Sequence, residues 1–263
     1  MDAERRSGAA LALRGAGVLA RREFLRFLRT PVRLVAAVGT GLLLWLVVGG
    51  GLAGSVVSPG TGSEEERFGY AAYLVPGAMT LVAMFAAIFS SIAVIEDRRE
   101  GFLQAVLVSP TPRWAIAAGI VTGGAAVAWL QAALLLPLAW IAGIPVGAGA
   151  AIAALIVLWL PAVAIQSLGT AFAWRCRDAA SFHAVMNLLL MPLWLLSDAF
   201  FPVDGAAAWL RWVIQLNPLS WCAEAVRSAL RDGAPAPWPL LGAAGFALLA
   251  FAAAVVAARR AGR

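Results

Sequence analysis

The chain has 263 residues, 62% of them hydrophobic and only 13% charged, with a mean hydropathy of +0.85 and a formal net charge of +6. A soluble domain carries roughly a quarter charged residues, so no water-surrounded interior of this length hides so much apolar side chain. Every basic residue is arginine, which excludes a phosphate loop of the Walker A kind, because that loop needs a lysine at the β- and γ-phosphates.

The expected solvent is therefore a bilayer, where backbone polar groups must be satisfied within helices or a closed barrel. Long unbroken apolar runs, rather than period-two alternation, select helices. The predicted fold class is an all-α membrane protein, one domain over residues 1–263. Residues 1–33 are arginine-rich and carry no cleavable-signal pattern. Within them Leu13, Gly17, Ala20, Phe24 and Phe27 recur at steps of four and three, while Arg14, Arg21, Arg22, Arg26 and Arg29 fall on another face. This spacing predicts a cytoplasmic amphipathic helix lying along the inner leaflet. The same arginines also serve simply to fix topology.

Charged residues fence off the apolar runs that follow. With about 20 residues needed per crossing, residues 34–258 read as a six-span bundle: 34–56, 70–95, 115–141, 149–174, 180–199 and 238–258. The stretch "AGIPVGAG" (142–149) punctuates an uncharged run as a tight hairpin. Pro76, Pro137, Pro161 and Pro192 are expected to kink their helices. Orientation follows arginine placement. With the N-terminus inside, 16 arginines lie on the inner side, and only Arg67, Arg211, Arg227 and Arg231 lie outside. Both termini are thus expected in the cytoplasm of a cell membrane. A sequence pI near 10.8 is accounted for by cytoplasmic loops, and no nucleic-acid partner is expected. Cys176 and Cys222 fall on opposite sides, which disfavours a disulfide. His183 is the sole histidine, expected at the inner interface with local hydrogen bonds. No cofactor, metal cluster or nucleophile–base pair is indicated, so the chain is not read as an enzyme. Gln131, Gln166, Ser167 and Asn187 are neutral polar groups within the spans, read mainly as interhelical pairing, and Gly119 and Gly123 permit close helix approach.

Residues 96–113 form a cytoplasmic loop on this topology. Phe102, Leu103, Val106 and Leu107 share one side of a short helix. Gly101 precedes it, and "SPTP" ends it, because proline cannot continue a helix. Such an apolar-faced helix, flanked by Glu96, Arg98, Arg99 and Glu100, either inserts into a groove on a cytosolic protein or caps its own bundle. Residues 200–237 are too short per segment to span and suit an outer re-entrant hairpin. Helices over 205–216 and 219–230 are broken by Asn217–Pro218, with Ser220 capping the second and Gly233 ending it. Trp209, Trp212 and Trp221 suit headgroup level. Glu224 and Arg227 are one turn apart and can pair, as Asp204 and Arg211 can more loosely. The hairpin is either a passive cap or an outer gate.

Two stretches carry a family resemblance. "EDRREGFLQAVLVSPTPRWAI" resembles the loop of ABC-2 type transporter permeases, with its charged pair, Gly, short apolar helix and (S/T)P element. "FFPVDGAAAWLRWVIQLNPLSWCAEAVRSAL" resembles their FFP element after the fifth span and NPL(S/T) element before the sixth. The hydropathy profile and six-span order agree along essentially the whole chain, and the drug-exporting branch is the most similar. The resemblance implies the membrane half of an ABC exporter moving an amphipathic or lipophilic cargo outward. It would pair with a second permease subunit, identical or similar, and dock a separate cytosolic ABC ATPase subunit. It also implies that Glu96, Arg98, Arg99 and Glu100 make polar contacts with that ATPase while Phe102, Leu103 and Leu107 anchor in it. Leu103→Asp or Arg99→Glu is then expected to uncouple hydrolysis from transport. An outer gate would be built from Phe200, Phe201, Pro202, Asn217, Pro218, Glu224 and Arg227. An ion-coupled secondary transporter and a non-transporting membrane subunit are the rival readings.

Overall fold

The computed structural model describes residues 2–29, 31–51, 64–109, 111–199 and 207–260, and these contain helices and turns but no strand. The helices are α1 (Asp2–Leu28), α2 (Pro31–Leu44), α3 (Glu64–Arg99), α4 (Phe102–Leu107), α5 (Arg113–Ala133), α6 (Pro137–Ile141), α7 (Ala148–Val157), α8 (Trp159–Ala173), α9 (Ala179–Leu195), α10 (Ala208–Leu216), α11 (Pro218–Asp232) and α12 (Pro237–Arg260). A π-helical turn, Trp45–Gly51, continues α2.

Among the described residues, four helical stretches are long and apolar enough to cross a membrane: Gly69–Arg99, Arg113–Ile141, Ala148–Ala173 and Pro237–Arg260. They match four of the expected spans to within a few residues. The other two apolar helices are shorter, Val38–Gly51 and Ala179–Leu195. At 17 residues, α9 measures about 25 Å, less than the roughly 30 Å hydrocarbon core. Two of the expected proline effects appear as helix breaks. A turn over residues 134–136 precedes Pro137, and Leu158 interrupts the ladder before Pro161. Proline has no N–H to donate back. Pro76 and Pro192 instead lie within unbroken helices. The turn over residues 142–147 is present, with Gly143 at φ 80° closing α6 from the left-handed region where glycine carries no Cβ penalty.

Helix α3 is the centre of the bundle. Leu74, Val75, Ala78, Met79, Ala83 and Ala87 are all fully buried, against α5, α8 and α11. Lipid gives no hydrophobic drive between helices, so close packing at small residues has to hold them. On α12 the buried positions are alanines 243, 247, 250, 254, 257 and 258, facing α8. A Cβ on Gly77 would lie 1.9 Å from the carbonyl oxygen of Ala199, and one on Gly124 would lie 2.3 Å from the Gln166 side chain.

The N-terminal helix departs from its expected setting. It packs on α5 rather than resting on lipid alone. Gly119 meets Ala16 and Leu19, and Gly123, one turn on, meets Ala20 and Glu23, each at under 3 Å from a built Cβ. The two helices therefore run in the same direction here, and the Gly119–Gly123 pair is the close approach that its spacing allowed. The buried face is Ala12, Leu19 and Phe27, while Leu13 is 66% exposed and Gly17 is also exposed. The expected apolar stripe is thus rotated, because Arg22 and Arg26 turn inward to acids rather than outward to solvent.

Candidate functional site

Two clusters of charge mark the two ends of the bundle. At the first, the last turn of α3 supplies Glu96, Asp97, Arg98 and Arg99. Arg22 grips Asp97 with both guanidinium nitrogens, at 2.6 and 2.9 Å, and shares one nitrogen with Glu23 at 3.0 Å. Arg26 donates to Glu96 at 2.7 Å and to Asp97 at 3.3 Å. Bidentate geometry makes the Arg22–Asp97 pair strong as well as directional. The same guanidinium lies 3.8 Å over the Phe102 ring, a cation–π contact. Arg98 donates to the carbonyls of Trp174, at 2.9 Å, and Cys176, satisfying acceptors left free where α8 ends. Asp178 then caps α9 by accepting from Ser181 N at 2.7 Å, and that bond holds its carboxyl below the usual range.

Helix α4 begins after Gly101, which adopts φ 79°. Leu103 is 1% exposed and points into the bundle core. Phe102 lies under Arg22, and Leu107 is half-buried. Arg99, Glu100, Gln104, Ala105 and Val108 face outward, Val108 at 87% exposure. The structure therefore brings Glu96, Arg98, Phe102 and Leu103 into internal contacts. Of the residues singled out in the sequence, Arg99 and Glu100 remain exposed, with Leu107 between. Leu103→Asp would put a charge into the core, so it reports on folding rather than on coupling.

At the opposite end, α11 and the turn after α9 meet the start of α3, and α10 packs on α11. Arg227 is 8% exposed. It donates to the Asp198 carboxylate at 3.1 Å, to the Asp198 carbonyl at 3.0 Å and to Glu224. Its guanidinium lies 4.0 Å over the Tyr73 ring, and the Tyr73 hydroxyl donates to Asp198 O at 2.5 Å. Burial pushes the Asp198 carboxyl upward, and Arg227 opposes that shift. The Glu224–Arg227 pair expected from the one-turn spacing is present. A further partner, Asp198, comes from the turn after α9, 29 positions away. The sequence signals only that an acid at the rim of an apolar helix needs a cation; Arg211, Arg227 and Arg231 all qualify, and burial in the fold singles out Arg227.

Asn217 joins two helix ends. Its Nδ2 donates to Leu193 O at 2.6 Å and Leu196 O at 2.9 Å, and its Oδ1 accepts from Leu219 N at 2.9 Å. Pro218 follows at the first helical position, where its missing N–H is not needed. The cap of α11 is thus Asn217, not Ser220, whose hydroxyl instead accepts from Asp198 N at 3.2 Å. Gly233 ends α11 at φ 74° as expected. Phe200, Phe201 and Pro202, and the Asp204 of the looser pair, lie outside the described residues. His183 sits edge-on to Phe89 and Phe182 at 5.8 and 6.2 Å, an aromatic setting rather than the polar one expected.

Between the two ends lies a cavity of about 510 Å³, walled by α1, α2, α3 and α5. Phe27, Phe85 and Phe89 line it together with Glu23, Glu96 and Gln131. Among the described residues no group of three His, Cys, Asp or Glu side chains is arranged to hold a metal ion.

Comparison with known proteins places this geometry. The family model described as "ABC-2 type transporter" matches residues 15–230. A protein named as a transport permease, ycf38, from Cyanophora paradoxa is 27% identical over 80% of this chain and 72% of its own length. The linearmycin resistance permease protein LnrN of Bacillus subtilis is 28% identical over 63% of this chain and 42% of its own length. YbhR of Escherichia coli K12, named as a multidrug ABC transporter permease, is 25% identical over 65% of this chain and 49% of its own length. The match thus spans less than half of LnrN and of YbhR.

Proposed function

The chain belongs to the ABC-2 type transporter family, and from that premise we propose that it is the transmembrane subunit of an ABC exporter driven by a separate cytosolic ATPase. The reading has six spans, with α2 and α9 as the two shorter ones, both termini in the cytoplasm and the α10–α11 hairpin outside. A hydrophobic span without an ATP site of its own has to receive work from a partner. The outward face of α4, Arg99, Glu100, Gln104 and Val108, is the surface offered to it.

One observation carries the proposal. Helix α3 is a single helix of 36 residues that holds the partner-facing loop at one end and the hairpin at the other. Asp97 is clamped by Arg22, and Tyr73 and Gly77 are locked against Asp198 and Ala199. The 24 residues between Tyr73 and Asp97 amount to about 36 Å of continuous helix. A displacement imposed through α4 and α1 reaches the hairpin through that rod, because packed helices shift as units rather than deforming continuously. In this account α10 and α11 open and close the outer exit, with Asp198 and Arg227 as the latch and Asn217–Pro218 as its corner. A second permease subunit completes the pathway. Asn187 is exposed beside Leu188 at 79% and Met191 at 53%. An unpaired amide facing lipid is costly, and a neighbouring subunit covering α9 removes that cost. The weakly polar, aromatic walls suit an amphipathic or lipophilic cargo, and the drug-related names of LnrN and YbhR agree with that.

The test is reconstitution in vesicles with and without an added ABC ATPase subunit. ATP-driven movement of a lipophilic dye, abolished by omitting the ATPase, is the expected result. Flux driven by an ion gradient without ATPase, or ATPase binding with no flux, would overturn the proposal.

A further inference from the structure

We propose that the cavity between α1, α2, α3 and α5 binds the cargo and selects a lipophilic cation, with an alkyl- or arylammonium head at the Glu23–Glu96 end and an apolar body running along α3. The inference names the cargo class of the exporter proposed above and rests on that reading for its transport role, but not for its binding site.

Shape comes first. On α3 the lining residues Leu81, Val82, Phe85, Phe89, Ala93 and Glu96 recur at helical spacing on one face. From Leu81 to Glu96 the wall rises about 22 Å, and the volume of about 510 Å³ falls within the range of drug-sized sites, roughly 300–1,000 Å³. It is polar at one end and apolar along its length, which is the outline of an amphipath.

Charge comes second. Two guanidiniums, Arg22 and Arg26, serve three carboxylates, Glu23, Glu96 and Asp97. Asp97 takes both nitrogens of Arg22 and one of Arg26, so Glu23 is left with a share of one already used nitrogen. Among the described residues the cluster has one carboxylate more than it has guanidiniums, and the under-compensated one, Glu23, lines the cavity beside the Glu96–Arg26 pair. Burial, and then Asp97, push the Glu23 carboxyl upward against the pull of Arg22 and Arg26, and a cationic head beside it would favour its charged form. Phe27, Phe85 and Phe89 add ring faces that attract cations once water is excluded.

The third observation is independent of the acids. Gln131 lines the cavity, is 3% exposed, and its Oε1 has no hydrogen-bond partner. Leaving a buried carbonyl unpaired costs about 1–3 kcal/mol; Gln131 lies one turn from Leu135, which is level with Val82, so the donor that would satisfy it belongs to the ligand's body and not to its charged head. A carboxylate ligand brings no donor there and meets Glu23 and Glu96 with like charge, and Arg26, which also lines that end, is already held by Glu96 and Asp97. The site thus discriminates by what it rejects as well as by what it attracts.

The experiment uses the purified full chain in neutral-lipid nanodiscs and three dansyl probes sharing one undecyl chain, ending in an ammonium, a hydroxyl or a carboxylate. The ammonium probe is expected to bind at least ten-fold more tightly than the carboxylate probe. Glu23→Gln should reduce that ratio to two-fold or less, and Glu23→Asp should keep it. Leu248→Ala, on the exposed face of α12, should change nothing. Equal affinities for the three probes, or an unchanged ratio in a folded Glu23→Gln protein, would overturn the inference. ATP-driven transport with no charge preference would overturn it while leaving the exporter reading intact. Charge-selective binding with no transport would do the reverse.

Discussion

Replacing Arg227 with Met removes the cation at the hairpin while keeping an apolar stem of similar length. Asp198, 7% exposed, then keeps a buried carboxylate without its main partner. Breaking a buried pair by removing one side costs about 3–5 kcal/mol. The lower figure applies here, because Glu224, the second acid, has a side chain 32% exposed and can turn to water. Cys222 provides the readout. It is fully buried five residues before Arg227 on α11, and burial pushes its thiol up to about 12, so maleimide reacts only when the hairpin opens. In a Cys176→Ala background Cys222 is the sole thiol. At 1.36 kcal/mol per decade, a loss of about 3 kcal/mol raises the labelling rate roughly 150-fold. Adding Asp198→Asn should recover most of that loss, since the stranded charge is gone. Labelling of Arg227→Met at the parent rate, or a double variant whose costs simply add, would refute the latch.

Other substitutions test the remaining joints. Gly119→Leu places its Cβ 2.7 Å from the Ala16 carbonyl oxygen. It should part α1 from α5 at a cost of about 1–3 kcal/mol and speed trypsin cleavage at Arg14 and Arg21, whereas Gly147→Leu, with open space around it, should not. Asn217→Ala loses two donations to the end of α9 and the cap of α11, about 2–3 kcal/mol together. Thermal aggregation in detergent should occur markedly lower, with Asn217→Asp, which keeps only the cap, in between. Glu23 has a folded-state carboxyl raised above its unfolded value, chiefly by burial, so the folded protein holds its proton more tightly. Its contribution is therefore favourable below the unfolded value and is lost as pH rises through the raised one. Glu23→Gln should flatten the melting profile across that acidic window, and an unchanged profile would contradict the assignment.

Much of this was legible in the sequence, and what was not has a physical reason. Unbroken apolar runs and proline positions are local facts, so four spans, the turn near Gly143 and the breaks before Pro137 and Pro161 fall close to their expected places. The Gly233 stop is similarly local. The rotation of α1 is not, because it is decided by Asp97, 75 positions from Arg22. Helical periodicity shows which residues share a face but not which face turns inward when arginines find acids on another helix. Leu103 illustrates the same limit. An apolar residue on a short loop helix fits a partner's groove as well as its own core, and only the tertiary fold shows it 1% exposed. The Asp198–Arg227 pair was hidden behind the closer Glu224, since spacing finds neighbours within one helix and not those across the hairpin.

The central claim is that work enters through the outward face of α4. Photo-crosslinking from single benzoylphenylalanine substitutions at Gln104, Val108 and Leu103, in membranes carrying the ATPase, addresses it directly. The account predicts adducts to the ATPase from Gln104 and Val108, and adducts only within this chain from Leu103. ATPase adducts from the α10–α11 hairpin, with none from Arg99 to Val108, would contradict it.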